Sequence, residues 1–108
     1  MKLMIVIVNH DDSGKVTRSL TRNGFSVTKL STTGGFLMRG NTTLLIGVED
    51  ERVGAAIEVI RNEAHSRTQF INPIGDPNIS DFVSTPPTEV VVGGATVFVL
   101  DVDKFVKI

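Results

Sequence analysis

The residues with the clearest capacity for chemistry lie in one stretch, Thr32-Thr33-Gly34-Gly35-Phe36-Leu37 followed by Gly40-Asn41-Thr42-Thr43. Paired glycines carry no Cβ to hold a ligand away from the main chain. Amides around Gly34 and Gly35 could therefore approach an anion closely, as in other nests of N–H groups. Phe36 is a large apolar side chain beside two glycines and wants a cover, from a neighbouring subunit or from a ligand. Glycine and threonine content alone, however, more often marks a plain hairpin loop. A second irregularity is Gly47, inside an apolar run where glycine weakens packing; its place makes sense if a ligand or a second backbone passes close by.

No catalytic constellation accompanies these residues. Asp11 and Asp12 read as a helix-capping pair. His10 and His65 stand alone in the sequence, cysteine is absent, and metal ligation or thiol chemistry has no basis. No serine or threonine sits in a nucleophile elbow, and no glycine-rich loop carries a phosphate-binding lysine. The expectation is a protein that binds and is not an enzyme.

The bulk composition narrows the partners. A chain of 108 residues with 41% apolar and 21% charged residues is the size and make-up of one globular domain. Eleven basic residues against twelve acidic ones, net charge -1, give no footprint for nucleic acid held through many phosphates. Leu3 to Val8 is an apolar run too short to cross a membrane and lacks a small-residue cleavage site, so it reads as a buried strand of a cytoplasmic protein. A domain this small leaves much surface bare, and packing against copies of itself would add stability.

These residues need a scaffold, and the hydrophobic pattern supplies one. Leu3 to Val8 is a β-branched-rich strand that gives way at Asn9-His10-Asp11-Asp12-Ser13 to a helix, with Asp11, Asp12 or Ser13 as its cap. Val16 and Leu20 would share one helix face, and Asn23-Gly24 would close it. Phe25 to Leu30 alternates as a strand, residues 31–41 form a loop, and Thr42 to Val48 resumes as a strand. Val53, Ile57, Ile60 and Ala64 make one apolar stripe of a second helix, with Asp50 and Glu51 at its start and Arg61, His65 and Arg67 towards its end, as the helix dipole favours. Residues 66–88, with Asn72-Pro73, Gly75-Asp76-Pro77-Asn78 and Pro86-Pro87, read as a long functional loop. Gly93-Gly94 is a turn or a kink before the strand Ala95 to Leu100. The order is βαββαβ, that of an α+β ferredoxin-like sandwich: a four-stranded antiparallel sheet with both helices on one face. The other face must be covered by something else.

The residues Thr28-Lys29-Leu30, Thr32 to Leu37, Gly40-Asn41-Thr42-Thr43, Gly47-Val48 and Val92-Gly93-Gly94-Ala95-Thr96-Val97-Phe98-Val99-Leu100 resemble the cyclic di-AMP receptor family of PII-like signal-transduction proteins, over essentially the whole chain. The resemblance implies a homotrimer of ferredoxin-like subunits, with the messenger in the cleft between neighbours. It also implies the loop lengths seen here, short at 31–41 and long at 66–88. A regulated protein partner follows from it too, though no residue names that partner. Non-catalytic sensing of cyclic di-AMP is the function it implies. The alternative is a PII-like module for another adenine nucleotide such as ATP, or for a protein partner only.

The local chemistry suits that ligand, which offers two adenines and two anionic phosphodiesters. Phe36 and Phe98 are candidates to cover an adenine face, at about 1–3 kcal/mol per stacked base. On pattern alone, though, Phe98 among valines reads as core in preference to stacking platform. Leu37 would wall the pocket, Gly35 and Gly47 would give close backbone approach, and the Thr28 hydroxyl with the Asn41 amide would meet base edges or phosphate. The chain departs from typical members at Gly24 and Ser26, which replace an asparagine and an arginine, and in its ending Phe105-Val106-Lys107-Ile108.

Overall fold

Alternation of buried and half-exposed residues along β1 (Lys2–Asn9) and β3 (Asn41–Val48) decides the architecture. Met4, Val6 and Val8 turn to one side, as do Thr42, Leu44, Ile46 and Val48, and all are buried. Period-two side chains on paired strands place these residues on one sheet face. The computed structural model describes residues 1–30, 40–71 and 88–108.

Two helices cover that face. In α1 (His10–Arg22) the inward positions include Val16 and Leu20; in α2 (Val53–Ala64) they are Ala56, Ile60 and Ala64, with Val53 and Ile57 half-buried beside them. The stripe expected in the second helix is present, entered through a 3-10 turn at Asp50–Arg52. Helix α1 ends at Asn23-Gly24 as expected, with Gly24 in the left-handed region at φ 87. Its start differs: Asn9 is the cap, its side chain accepting from the Asp11 amide at 3.0 Å. Asp12 is a buried carboxylate with another task, described below.

The main sheet also contains β2 (Ser26–Leu30) and β6 (Ala95–Asp101), in the antiparallel order β2-β3-β1-β6. This is the ferredoxin-like arrangement expected from βαββαβ. Between α2 and β6 the chain forms an additional two-stranded antiparallel ribbon, β4 (Arg67–Ile71) with β5 (Thr88–Val92). The segment read as a loop from about 66 to 88 thus has strands at both its ends. The Pro- and Gly-rich stretch between these strands is why composition dominated the reading there.

Gly93-Gly94 is a kink that carries the chain from the ribbon into the main sheet, because β5 pairs with β4 whereas β6 pairs with β1. Both glycines are left-handed, at φ 80 and 88. The Gly94 amide donates to the Ala64 carbonyl at the end of α2.

Candidate functional site

The helix-free face of the main sheet carries every expected site residue that lies among the described ones. Gly35, Phe36 and Leu37 lie outside the described residues. Cross-strand pairing places Thr28 opposite Leu45, Leu45 opposite Ile5, and Ile5 opposite Phe98, so these four form one row across the sheet. The neighbouring row is Ser26, Gly47, Leu3 and Leu100. Asn41 opposes Asn9 at the far end of β3. None of these positions points into the helix-covered core, because each is out of phase with the buried residues of its strand.

Phe98 is the informative case. It is 51% exposed on an edge strand, so the reading of it as a core side chain is corrected. Its alternation with valines could not tell one sheet face from the other. Leu30 and Leu100 share this face and are also exposed, while Leu3, Ile5, Ile7 and Leu45 are half-buried. The face is apolar at its centre, with Thr28, Ser26, Thr43, Thr96, Asn9 and Asn41 around it.

The structure brings some of the expected residues together and leaves others apart. Thr28 and Gly47 are diagonal neighbours on adjacent strands, a relation that spans about 7–8 Å. Thr28 and Phe98 are separated by three strand spacings, about 14 Å at about 4.8 Å each. Gly47 and Asn41 are six residues apart along β3, about 20 Å at about 3.4 Å per residue. Among the described residues, side chains spread over such a patch close no pocket.

Space and polarity at individual positions support access. A Cβ at Gly47 would meet nothing within 4 Å, so this glycine keeps open room above the sheet and is not required by packing within the chain. At the other end, the α1 start adjoins Asn41: the His10 amide donates to the Gly40 carbonyl at 2.6 Å, and His10 Nδ1 lies 3.2 Å from Thr42 Oγ1. His10 and Asn9 are therefore neighbours of the expected site that sequence reading assigned elsewhere. The only sequence signal for them was their position at the junction of a strand and a helix.

The two departures are located as well. Ser26 stands on the helix-free face opposite Gly47. Gly24 lies in the turn before β2, and a Cβ there would be 3.7 Å from Arg52 Nη1. Arg52 stacks over the Phe25 ring at 4.1 Å from its centroid and donates to the Asn23 carbonyl at 2.8 Å. That stacked guanidinium clamps the α1–β2 turn to the start of α2.

A second concavity, of about 460 Å³, lies on the opposite side of the molecule. Ile57, Ile60, Ala64 and Val97 form its apolar part, with Arg61 and His65 at its edge. None of the expected ligand residues among the described ones lines it. Among the described residues no helix is long and apolar enough to cross a membrane.

With this geometry in place, comparison with known proteins decides the family. The family model described as "Cyclic-di-AMP receptor" matches residues 1–108. The chain belongs to the cyclic-di-AMP receptor family. A crystal structure described as that of a functionally unknown protein from Pediococcus pentosaceus ATCC 25745 is similar to it, with 42% sequence identity and a TM-score of 0.77. The match covers 99% of this chain and 96% of that one.

Proposed function

We propose that the chain is a non-catalytic sensor that binds cyclic di-AMP between neighbouring copies of a homotrimer in the bacterial cytoplasm, and that binding changes loop conformation to regulate a protein partner. The observation that carries this reading is the cyclic-di-AMP receptor match over the entire chain. Two features of the chain support the shared site. The helix-free face is apolar and partly bare in a single copy, which favours its burial against other copies. The expected contacts also span about 14 and about 20 Å along that face, and an open patch of that extent encloses a ligand when a second surface is laid against it. Thr28 and Gly47 of one copy, with the glycine-bearing loop and Asn41 of another, would meet adenine and phosphodiester groups at the junction. Gly35, Phe36 and Leu37 would supply amides, a stacking ring and a wall, and Phe98 a second ring.

Sensing in this scheme needs no bond to be made or broken. Ligand binding shifts the chain toward the conformation that binds more tightly, and the regulated partner distinguishes the two. Isothermal titration with cyclic di-AMP, cyclic di-GMP and ATP, beside sedimentation equilibrium, tests the proposal. Heat with cyclic di-AMP alone and a trimeric mass are expected. A stable monomer, or no heat with cyclic di-AMP at high protein concentration, overturns it. Gly24 and Ser26 motivate a second reading, a PII-like module for ATP or for a protein partner only. Tight ATP binding without a response to cyclic di-AMP would favour that one.

A further inference from the structure

The β4–β5 ribbon forms a sheet of its own, separate from the main one. Two strands in isolation are marginal in water, so the way the ribbon's foot is fastened governs how it is held. The chain enters the foot through His65-Ser66 and leaves it through Gly93-Gly94. At that foot Arg67, the first residue of β4, reaches across to α1. Its Nη2 donates to Asp12 Oδ1 at 2.9 Å and its Nη1 to Asp12 Oδ2 at 3.3 Å. Nη1 also lies 3.3 Å from the His65 carbonyl.

Asp12 is 2% exposed, and Lys15 Nζ approaches its Oδ1 at 3.4 Å. The fit around the pair is close. A Cβ on Gly93 would fall 2.5 Å from Arg67 Nη1 and 3.2 Å from Asp12 Oδ2, so the glycine leaves room for the ion pair. A two-point guanidinium–carboxylate contact fixes direction as well as distance.

The same turn of α1 touches the end of the glycine-bearing segment. Two residues before Asp12, the His10 amide holds the Gly40 carbonyl and the His10 ring meets the Thr42 hydroxyl. One helical turn thus contacts the start of β3 at Gly40–Thr42 on one side and the ribbon foot on the other. We infer that the first turn of α1, acting through the buried Asp12–Arg67 pair, is the mechanical link between the start of β3 and the foot of the β4–β5 ribbon. The inference rests on the proposal that ligand acts at the Asn41 end of β3. It adds the route by which that event reaches the ribbon foot.

Amide hydrogen exchange on the full chain tests the link, with wild type, Arg67→Met, His10→Ala and the double variant, each with and without cyclic di-AMP. Calorimetry on the same samples gives ligand affinity. Without ligand, Arg67→Met should raise exchange about fivefold or more at 65–71 and 88–94 while β1 and β3 keep their protection, as expected of local opening. With ligand, wild type should change its protection at the ribbon foot. Arg67→Met should bind with an affinity within about threefold of wild type yet show no such change, as expected when coupling alone is lost. His10→Ala should loosen the ribbon foot in the wild-type background and add nothing to Arg67→Met.

Wild-type exchange at the foot of ligand-free Arg67→Met, or a full ribbon response in that variant, overturns the link. If the wild type binds no cyclic di-AMP, the reading of the site fails. The His10→Ala comparison in the ligand-free protein then decides the link by itself: additive effects refute it and non-additive ones sustain it.

Discussion

Replacing Gly47 by valine separates what the fold needs from what the site needs. Gly47 lies in the interior of β3 on the helix-free face, opposite Leu3 of β1 and Ser26 of β2. It is not among the glycines with positive φ, and an added Cβ would meet nothing within 4 Å. The isolated fold therefore gains from the change. Glycine in a strand loses more backbone freedom on folding than a β-branched residue, a difference of about 0.5–1 kcal/mol. At about 4–8 °C per kcal/mol for a domain of roughly this size, the melting temperature should rise by a few degrees.

Binding should move the other way. If ligand or a neighbouring chain runs close over Gly47, the valine methyls intrude on a filled contact, and overpacking of that kind costs about 1–3 kcal/mol. That is a loss of about 5-fold to about 150-fold in affinity, since each 1.4 kcal/mol is about tenfold. Thermal melts, titration with cyclic di-AMP and sedimentation equilibrium on one preparation read all three quantities. A variant that is stable, assembles as wild type and binds cyclic di-AMP with unchanged Kd would refute the placement of Gly47 at the site. A variant that fails to fold would refute the account of its open surroundings.

Three further outcomes follow from the same geometry. Phe36→Ala should weaken cyclic di-AMP binding by about tenfold, within the range of about 1–3 kcal/mol for one base stack, with the trimer retained in sedimentation; loss of folding would make Phe36 a structural residue. Asp12→Asn should lower unfolding free energy by about 1–3 kcal/mol at pH 7, below the full cost of breaking a buried pair because Arg67 is half-exposed. The Arg67 guanidinium, with Lys15 adding to it, holds the Asp12 carboxyl below its ordinary value of 3.8. Its contribution is thus present above that value and is lost as pH falls through the depressed one, so urea melts should show the gap between wild type and Asp12→Asn closing in strong acid. A gap that widens in acid would contradict the pairing. Gly93→Ala should cost about 2–4 kcal/mol, combining left-handed strain of about 1–2 kcal/mol with displacement of the Arg67 side chain; a change under about 0.5 kcal/mol in urea melts would show the ion pair to be loosely held.

The sheet and its helices were legible because burial leaves a pattern in the sequence. Leu3 to Val8 reads as a strand from its continuous β-branched apolar run, Phe25 to Leu30 from alternation, and Val53, Ile57, Ile60 and Ala64 from helical spacing, so these element types followed directly from the sequence. What periodicity cannot give is which of two apolar strand faces meets the helices. Pattern alone favoured the core for Phe98 for that reason: on an edge strand both faces carry valine or leucine, and only the register with Ile5 puts it on the bare side.

The helix cap was misplaced because Asn9, Asp11, Asp12 and Ser13 are all competent caps within a few residues. Backbone geometry, not composition, selected Asn9. Arg67 was read as a favourable charge near the end of α2, yet it is committed to Asp12, 55 residues earlier in the chain. A long-range ion pair leaves no trace in local pattern. Thr28, Asn41 and Gly47 were singled out as expected site residues through the family resemblance together with the oddity of glycine in a strand. That Asn9 and His10 border the same end of the face emerged only when β1 was seen beside β3.

The central claim is that the helix-free face of one copy and the glycine-bearing loop of another jointly hold the messenger. A crystal structure of the protein grown with cyclic di-AMP tests it most directly. The account predicts ligand density at a boundary between two copies, against Thr28 and Gly47 of one and the Phe36 and Asn41 region of the other. Ligand confined to a single copy, or seated in the groove beside Ile57, Ala64 and Val97, would contradict it.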